Sequence, residues 1–242
     1  MAEMKNCADN PEPVEDIHGD GRWMSQHLRF IAEGKEREPD VLFIGDSIIQ
    51  QMRFSKVWKM LLEPLHCLNF GIGGDQTQNV LWRVSNQELD NVSPDVIVLM
   101  VGTNNHGHNA EQIVDGIMAI AEVVRTKQPK AQLIIMGILP RGQNPNPLRI
   151  KNSKVNSLLE AKLRCRENAT FFAVDDEVFV GSDGSISASD MYDYLHLTPE
   201  GYTKLCEPLL GVVEDLLQIF VKVENVSLDT DSMAGELASD TQ

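Results

Sequence analysis

Short apolar segments alternate along the chain with longer segments in which apolar residues recur every three to four positions. Each apolar segment is bounded by polar residues, glycine or proline, as β-strands usually are. The predicted strands are Val41–Ile44, Cys67–Phe70, Val96–Val101, Leu133–Leu139 and Phe171–Val174. The segments with helical spacing are Ile48–Leu62, Thr77–Leu89, Ala110–Thr126, Leu148–Cys165 and Thr198–Val221.

This alternation predicts one α/β domain. The predicted strands are apolar nearly throughout, which is typical of a parallel sheet that helices cover on both faces. We therefore expect a three-layer α/β/α sandwich around a five-stranded parallel sheet, spanning residues 21–222. A further helix is expected near Arg22–Glu36, and helix starts are expected at Asn109 with Gln112 and at Thr198-Pro199.

The 242 residues carry a formal net charge of −15, and most of it lies at the two ends. Residues 1–20 contain six acids and one base, and residues 223–242 contain five acids and no base, so each end contributes −5. Such acidic, apolar-poor segments bury too little surface to offset the entropy of ordering, and we expect both to be flexible. Nucleic acid is not an expected ligand, because its phosphates are bound by basic side chains.

The cysteines Cys7, Cys67, Cys165 and Cys206 are far apart and fit no zinc spacing. The first residues lack the apolar stretch of a signal peptide, and the chain contains no run of about 18 apolar residues. We therefore expect free thiols in a cytoplasmic protein, with no transmembrane segment and no metal or other cofactor.

Polar residues follow the predicted strands at the points where the strands end. Gly45-Asp46-Ser47 follows the first strand, Gly71–Asp75 the second and Gly102–Asn105 the third, while Asp193–His196 precedes the last helix. In open α/β sheets, ligands bind outside the carboxyl ends of the strands. We therefore expect these clusters to share one rim of the sheet.

Ester hydrolysis requires a nucleophile, a base, a group that orients the base, and donors for the oxyanion. We assign Ser47 as the nucleophile, His196 as the base and Asp193 as the acceptor that orients His196. The expected oxyanion donors are the main-chain N–H groups of Ser47 and Gly74 and the side-chain amide of Asn104. Each motif alone is common in turns and helix caps, but four motifs that supply different roles at one rim indicate a hydrolase.

The residues next to these in sequence are the expected walls of the acyl pocket, namely Ile48, Thr103 and Leu195. Two of them are branched apolar side chains, and a β-branched residue such as Ile48 is stiff at χ1. The wall is therefore not expected to fold away for a long chain. We expect a strong preference for acetyl over butyryl esters.

These motifs resemble those of a known family. Gly45-Asp46-Ser47, Gly74, Asn104 and Asp193-x-x-His196 are similar, in this order, to the four sequence blocks of the SGNH (GDSL-like) hydrolases. Other segments resemble the catalytic α subunits of intracellular type I platelet-activating factor acetylhydrolases, so that the resemblance covers about residues 17–220. These segments are Gly19–Ser25, Leu68–Asp75, Val80–Arg83, Val101–His106, Leu139–Gly142, Pro145–Arg149 and Ser182–Gly184.

The resemblance implies a flavodoxin-like sheet and hydrolysis of the sn-2 acetyl ester of an ether phospholipid, which gives the lyso lipid and acetate. It also implies a cytosolic homodimer or heterodimer of α subunits that binds a WD40-repeat regulatory subunit, the lissencephaly gene product. Met100 stands where these subunits usually have a tryptophan, a difference that bears on packing beneath the site.

The residues are compatible with two other functions. One is an esterase of the same family that acts on another short-acyl ester, such as an acetylated sugar or a lysophospholipid. The other is an assembly subunit that binds the WD40-repeat partner without catalysis.

Three further motifs have structural interpretations that we favour. His106 and His108 lack a third metal ligand at suitable spacing, and Gly71-Ile72-Gly73-Gly74 lacks the spaced third glycine of a dinucleotide loop. A set of basic residues has the charge to attract a lipid phosphate. We favour the interpretation that these residues form a solvated helix face. This set is Arg141, Arg149, Lys151 and Lys154.

Overall fold

Five parallel strands form one sheet in the order β2-β1-β3-β4-β5, in a computed structural model that describes residues 7–218. The strands are β1 (Val41–Gly45), β2 (Cys67–Gly71), β3 (Val96–Met100), β4 (Gln132–Met136) and β5 (Ala169–Phe172). Every residue of β1, β2 and β3 is buried, as expected for a sheet covered on both faces. At the carboxyl end of the sheet, Gly45 lies between Gly71 and Met100.

Helices cover both faces of the sheet. They are α1 (Arg22–Glu36), α2 (Ser47–Met52), α3 (Thr77–Arg83), α4 (Ala110–Lys127), α5 (Pro147–Leu163) and α6 (199–218). One face packs against α1, α3, α4 and α5 through a core that includes Leu42 and Ile44. The other packs against α2 and α6 through a core that includes Val41 and Phe43. This arrangement confirms the predicted three-layer α/β/α sandwich.

Helix starts that the sequence predicted are confirmed. Asn109 and Gln112 exchange side-chain and main-chain hydrogen bonds as a capping box at the start of α4. The Oγ1 of Thr198 accepts a hydrogen bond from the main-chain N–H of Gly201 at the start of α6. The predicted helix Arg22–Glu36 is α1.

The predicted helix Ile48–Leu62 is wrong in its length. The α-helix ends at Met52, and after an irregular turn the chain forms a π-helical turn at Trp58–Leu62. Between the two, the Oγ of Ser55 donates to the main-chain oxygen of Met52 and accepts from the main-chain N–H of Trp58. A serine that bonds the main chain in this way competes with the helix, which explains the interruption.

The predicted helix Thr77–Leu89 is also too long, because α3 ends at Arg83 and a wider turn follows at Val84–Glu88. In that turn Gln87 adopts a left-handed conformation with φ 75°. Such a conformation is unfavourable for a residue with a side chain, so the surroundings must hold it in place. The next residue, Glu88, is buried, and its contacts are described below.

The strand boundaries of β1, β2 and β3 differ from the prediction by one residue, and those of β4 and β5 differ by up to three. β4 ends at Met136 instead of Leu139, because the main-chain N–H and carbonyl of Ile138 bond the side-chain amide of Asn156. Those two groups are therefore not available to a sheet neighbour. β5 runs from Ala169 to Phe172, so it begins and ends two residues before the predicted strand Phe171–Val174. Its first residues were missed because Ala169 is only partly buried and Thr170 is exposed, so that they carry no continuous apolar signal.

The N-terminal segment differs from the flexible segment that the acidic composition predicted for residues 1–20. Ala8 is fully buried, and its main-chain oxygen accepts a hydrogen bond from the Oγ1 of Thr77. The main chain of Glu12 bonds the main chain of Gln78 and the side chain of Asn79. Residues 8–12 are thus held on α3, whereas the tail 223–242 lies outside the described residues.

Two general features bear on the cellular setting. Within the described residues, no helix is both long enough and apolar enough to cross a membrane. All four cysteines are free, with Cys67 and Cys206 buried and Cys7 and Cys165 exposed.

Candidate active site

The turn between β1 and α2 fixes Ser47. Asp46 caps α2, since its carboxylate accepts a hydrogen bond of 2.9 Å from the main-chain N–H of Ile48. Gly45 is required by the close approach of β3, because a Cβ at this position would lie 2.1 Å from the main-chain oxygen of Met100. The sequence Gly45-Asp46-Ser47 therefore places Ser47 as the first residue of α2, at the carboxyl rim of the sheet.

Ser47, His196 and Asp193 are hydrogen-bonded in series. The Nε2 of His196 lies 2.9 Å from the Oγ of Ser47, and its Nδ1 lies 2.7 Å from the Oδ2 of Asp193. The other oxygen of Asp193 accepts from the main-chain N–H groups of Leu195 and His196, which closes the loop that carries all three residues. The structure thus brings together the three residues that the sequence assigned to catalysis.

The protonation of this series follows from the charge on Asp193. Partial burial opposes ionisation, but the hydrogen bonds from His196 outweigh it and hold the pKa of Asp193 below its usual value. A carboxylate only accepts hydrogen bonds, so the Nδ1 of His196 carries the proton that lies between the two residues. In neutral His196 the Nε2 lone pair then faces the hydroxyl of Ser47, as a general base requires.

Two of the three residues assigned to the oxyanion, Gly74 and Asn104, are linked at one turn. Gly74 has a left-handed backbone with φ +89°, and the position of a Cβ there is open space. The side-chain amide of Asn104 donates a hydrogen bond of 3.0 Å to the main-chain oxygen of Asp75, the residue after Gly74. This bond uses one of the two amide hydrogens and leaves the second for a ligand. Gly74 and Ser47 both line one cavity beside the turn.

The three residues assigned to the acyl pocket line a single small cavity. Its volume is about 10 Å³, and Ile48, Thr103 and Leu195 line it together with Asp46 and Met100. A cavity of this size holds about one water-sized group. Met100, at the position where a tryptophan was expected, is therefore a wall of this cavity.

The basic residues near the rim differ in what they contact. Arg149 and Lys151 donate to main-chain carbonyl oxygens of neighbouring loops, and Lys154 forms an exposed ion pair. Arg141 instead supports the acyl cavity, because its Nη1 donates to the main-chain oxygen and to the Oγ1 of Thr103, at 2.9 and 3.1 Å. Arg149 and Lys151 thus hold loops together and do not form the solvated face that the sequence favoured.

A buried charged network beneath the site was not foreseen from the sequence. Asp75 is fully buried and accepts hydrogen bonds from the Nε1 of Trp23, at 2.7 Å, and from the Nε of Arg83, at 2.8 Å. Arg83 also donates to Glu88, which bonds the Nδ1 of His27 at 2.9 Å. The one local signal was a charged residue at position 83, between apolar residues of a predicted helix.

Arg83 connects this network to the sheet. Its Nη2 donates to the main-chain oxygens of Gly45 and Phe70, near the ends of β1 and β2. Burial alone would lower the pKa of Arg83, but Glu88 and Asp75 more than compensate and raise it, so the guanidinium stays charged. Burial raises the pKa of Asp75 to about 6, against the opposing effect of Arg83. One side chain therefore contacts both strand ends from which the turns of Ser47 and Gly74 start.

Within residues 7–218, no further candidate metal ligand joins His106 and His108. Residues 7–218 contain no group of three or more histidine, cysteine or acidic side chains placed to hold a metal ion. The Nδ1 of His108 lies 3.2 Å from the side-chain amide of Asn105. Asn105 in turn accepts from the main-chain N–H of Thr77, so this loop is tied to α3.

A parallel α/β sheet that carries a serine, a histidine and an aspartate in hydrogen-bonded series at its carboxyl rim has the arrangement of a serine hydrolase. The profile of the GDSL-like lipase/acylhydrolase family matches residues 43–204. The chain belongs to this family and is thus a hydrolase, which confirms the resemblance seen in the sequence.

Curated relatives are similar over almost the whole chain. The platelet-activating factor acetylhydrolase IB subunit alpha1 of Homo sapiens is 53% identical over 217 residues, which cover 90% of this chain and 94% of that protein. The subunit alpha2 of Mus musculus is 53% identical over 213 residues, which cover 88% of this chain and 93% of that protein.

Solved structures of distant proteins share the fold. An acylhydrolase from Bacteroides fragilis superposes with a TM-score of 0.68 at 19% identity, over 84% of this chain and 100% of that one. The carbohydrate acetylesterase Est24 of Sinorhizobium meliloti superposes with a TM-score of 0.58 at 18% identity, over 74% and 100% of the two chains. At these identities the likeness concerns the architecture alone.

Proposed function

We propose that this protein is a metal-independent serine esterase that removes the sn-2 acetyl group of platelet-activating factor and related ether phospholipids. The observation that carries the proposal is the hydrogen-bonded series Ser47, His196 and Asp193 at the carboxyl rim. The names of the relatives, which share about half of their residues with this chain, support the choice of substrate.

In the proposed reaction the Oγ of Ser47 attacks the ester carbonyl carbon while the Nε2 of His196 takes the hydroxyl proton. The oxyanion is stabilised by the main-chain N–H groups of Ser47 and Gly74 and by the free amide hydrogen of Asn104. His196 then gives its proton to the departing alcohol, which leaves an acetyl group on Ser47. A water molecule, deprotonated by His196, releases acetate and restores the serine.

The acyl cavity supports the preference for an acetyl group. At about 10 Å³ it accommodates a methyl group but not a longer chain without movement of its walls. Ile48 is 1% exposed and packed in the core, so its side chain has no room to rotate away. Each extra methylene costs about 1–3 kcal/mol of strain, or roughly 5- to 150-fold in rate if it is felt in the transition state.

The test compares hydrolysis of one ether phospholipid with an acetyl, a hexanoyl and a long acyl group at sn-2. We expect turnover of the acetyl ester only, and Ser47→Ala should lower that turnover by a factor on the order of 10³ or more without loss of fold. Similar kcat/KM values for acetyl and hexanoyl esters would contradict the pocket assignment. Substantial activity of Ser47→Ala would place the nucleophile elsewhere.

We include assembly in the proposal. The relatives are named as subunits, and the resemblance implies an α-subunit dimer that binds a WD40-repeat regulatory subunit. We propose a cytoplasmic location as well, since four free thiols are typical of a reducing compartment.

A further inference from the structure

Asp75, in the turn that follows β2, is held by hydrogen bonds to its main chain and to its side chain. Its main-chain N–H donates to the main-chain oxygen of Ile72 at 3.3 Å, and its main-chain oxygen accepts from the side-chain amide of Asn104 at 3.0 Å. Its Oδ1 accepts from the Nε1 of Trp23, and its Oδ2 accepts from the Nε of Arg83. The position and the orientation of this residue are therefore both fixed.

Asp75 is linked to two of the assigned oxyanion donors. Gly74 precedes it, and within residues 7–218 the main-chain N–H of Gly74 makes no hydrogen bond, so it is free for a ligand. Asn104 uses one amide hydrogen on the main-chain oxygen of Asp75 and keeps the other. A shift of Asp75 would therefore move both donors, one through the chain and the other through a hydrogen bond.

We propose that the buried carboxylate of Asp75 is a positioning group for the oxyanion hole, and that Trp23 of α1 holds this carboxylate in place. The inference rests on the proposed esterase function. An oxyanion hole is effective because its donors are oriented before charge develops, so a small displacement of the donors lowers the rate. Asp75 is fully buried, so it acts through the donors Gly74 and Asn104.

The hydrogen bond from Trp23 brings α1 into the active site. Its length is 2.7 Å, and a hydrogen bond to a carboxylate is charge-assisted and stronger than one between neutral groups. Trp23 lies 52 residues before Asp75 and outside residues 43–204, which match the family profile. Arg83 also bonds main-chain oxygens near the ends of two strands, so its removal would disturb the sheet as well as the turn. The bond from Trp23 can be removed without that disturbance.

The test compares Trp23→Phe with Trp82→Phe in the hydrolysis of a small acetyl ester, para-nitrophenyl acetate. Both substitutions remove an indole N–H and keep an aromatic ring. The rings of Trp23 and Trp82 pack together with centroids 5.4 Å apart, but Trp82 is not among the donors to the Asp75 carboxylate within the described residues. We expect Trp23→Phe to lower kcat about tenfold or more with little change in KM, because misplaced donors weaken binding of the transition state. Trp82→Phe should leave kcat unchanged.

A double-mutant cycle with Asn104→Ala separates positioning from a general loss of stability. If Trp23 acts through the oxyanion donors, its hydrogen bond matters less once the amide of Asn104 is absent. The two losses in kcat should therefore combine to less than their product, with a further loss of about threefold or less from Trp23→Phe in the Asn104→Ala protein. A smaller folded fraction would instead lower kcat by the same factor with and without Asn104.

Asp75→Asn tests the carboxylate directly and should also lower kcat with little change in KM. Thermal melts show which variants are folded at the assay temperature, and if one of Trp23→Phe and Asp75→Asn does not fold, the other decides. The proposal is overturned if the folded variants keep the kcat of the unmodified protein, if the effect lies in KM alone, or if Trp23→Phe has the same effect with and without Asn104. An unmodified protein that does not hydrolyse the ester refutes the esterase function itself, which is a separate outcome.

Discussion

Among residues 7–218, Leu195 is the one residue that lines both the small cavity assigned to the acyl group and the open groove along Arg141–Leu148. Leu195 is therefore common to a space of about 10 Å³ and one of about 790 Å³. We expect that shortening this side chain joins the two spaces. We therefore expect the proposed acyl-chain limit to depend on the side chain of Leu195.

Leu195→Ala should admit longer acyl groups. We expect the preference for acetyl over butyryl esters to fall about tenfold or more, since the two extra methylenes of the butyryl group gain room in the groove. The measurement is kcat/KM on a series of esters with acyl chains of two to six carbons. Leu148→Ala, which enlarges the groove alone, is the control and should leave the preference as it was.

Asn104 is held in place before substrate arrives, because its amide bonds the main-chain oxygen of Asp75. A donor fixed in advance acts most strongly when charge develops on the carbonyl oxygen. Asn104→Ala should therefore lower kcat by about 10²–10³-fold with little change in KM. Steady-state kinetics on an acetyl ester measure both, and an effect on KM alone would make Asn104 a ground-state binding residue.

At the scale of elements, Arg83 joins α3 to the ends of β1 and β2. It is fully buried and bonds two carboxylates, those of Asp75 and Glu88, in addition to main-chain oxygens at the two strand ends. Removal of one member of such a network leaves the remaining charges buried and unpaired. The network is therefore expected to be costly to break, whatever its net contribution to folding.

Arg83→Leu should lower the free energy of unfolding by about 3–5 kcal/mol, because Asp75 and Glu88 lose their partner. Denaturant unfolding followed by circular dichroism measures the difference. Arg125→Leu is a matched control, since Arg125 pairs with Glu122 on the exposed face of α4 and should change stability little. Equal effects of the two variants would show that burial of the Arg83 network has no special role.

Asp46, which caps α2, should make the free energy of unfolding depend on pH. Burial raises the pKa of Asp46 from 3.8 to about 7, although the N–H of Ile48 opposes the rise. Between these values the native state binds a proton that the unfolded state has released, so this group's contribution to stability falls as pH rises through the window. Above the native pKa, Asp46 is ionised in both states, and its contribution to stability is entirely lost.

Asp46→Asn removes this titration while an amide oxygen still accepts from Ile48. The Tm of the unmodified protein, relative to that of Asp46→Asn, should therefore fall as the pH is raised from about 5 to about 8. Thermal melts of both proteins in matched buffers measure the difference. A relative Tm that does not change with pH would show that Asp46 is ionised in the native state throughout this range.

The elements differ in how far the sequence determines them. Ser47, Asp193 and His196 could be assigned because each lies in a short motif at a strand end or before a helix, where topology alone places it on the rim. The Arg83 network could not, because its partners are spread over residues 23–88 and no local pattern distinguishes a buried charge from an exposed one. The interruption after Met52 likewise depends on how one serine hydroxyl is used.

For the molecule as a whole, the charge distribution decides how readily copies associate. The full chain carries −15, of which residues 21–222 carry −5, so the domain itself is only mildly acidic. Two copies nevertheless repel each other, and the acidic ends add to this repulsion. Salt screens such repulsion over a Debye length of about 10 Å at 0.1 M.

The proposed dimer should therefore become tighter as salt is added. If apolar contacts hold two copies together against their common negative charge, screening removes an opposing force and leaves the attraction largely intact. Light scattering on the full chain at micromolar concentration should give twice the chain mass of 27.0 kDa, with the dimer fraction rising between about 0.05 and 0.5 M salt. A dimer that dissociates as salt rises would instead be held by ion pairs across the interface. A mass of 27.0 kDa at every salt concentration would contradict the dimer itself.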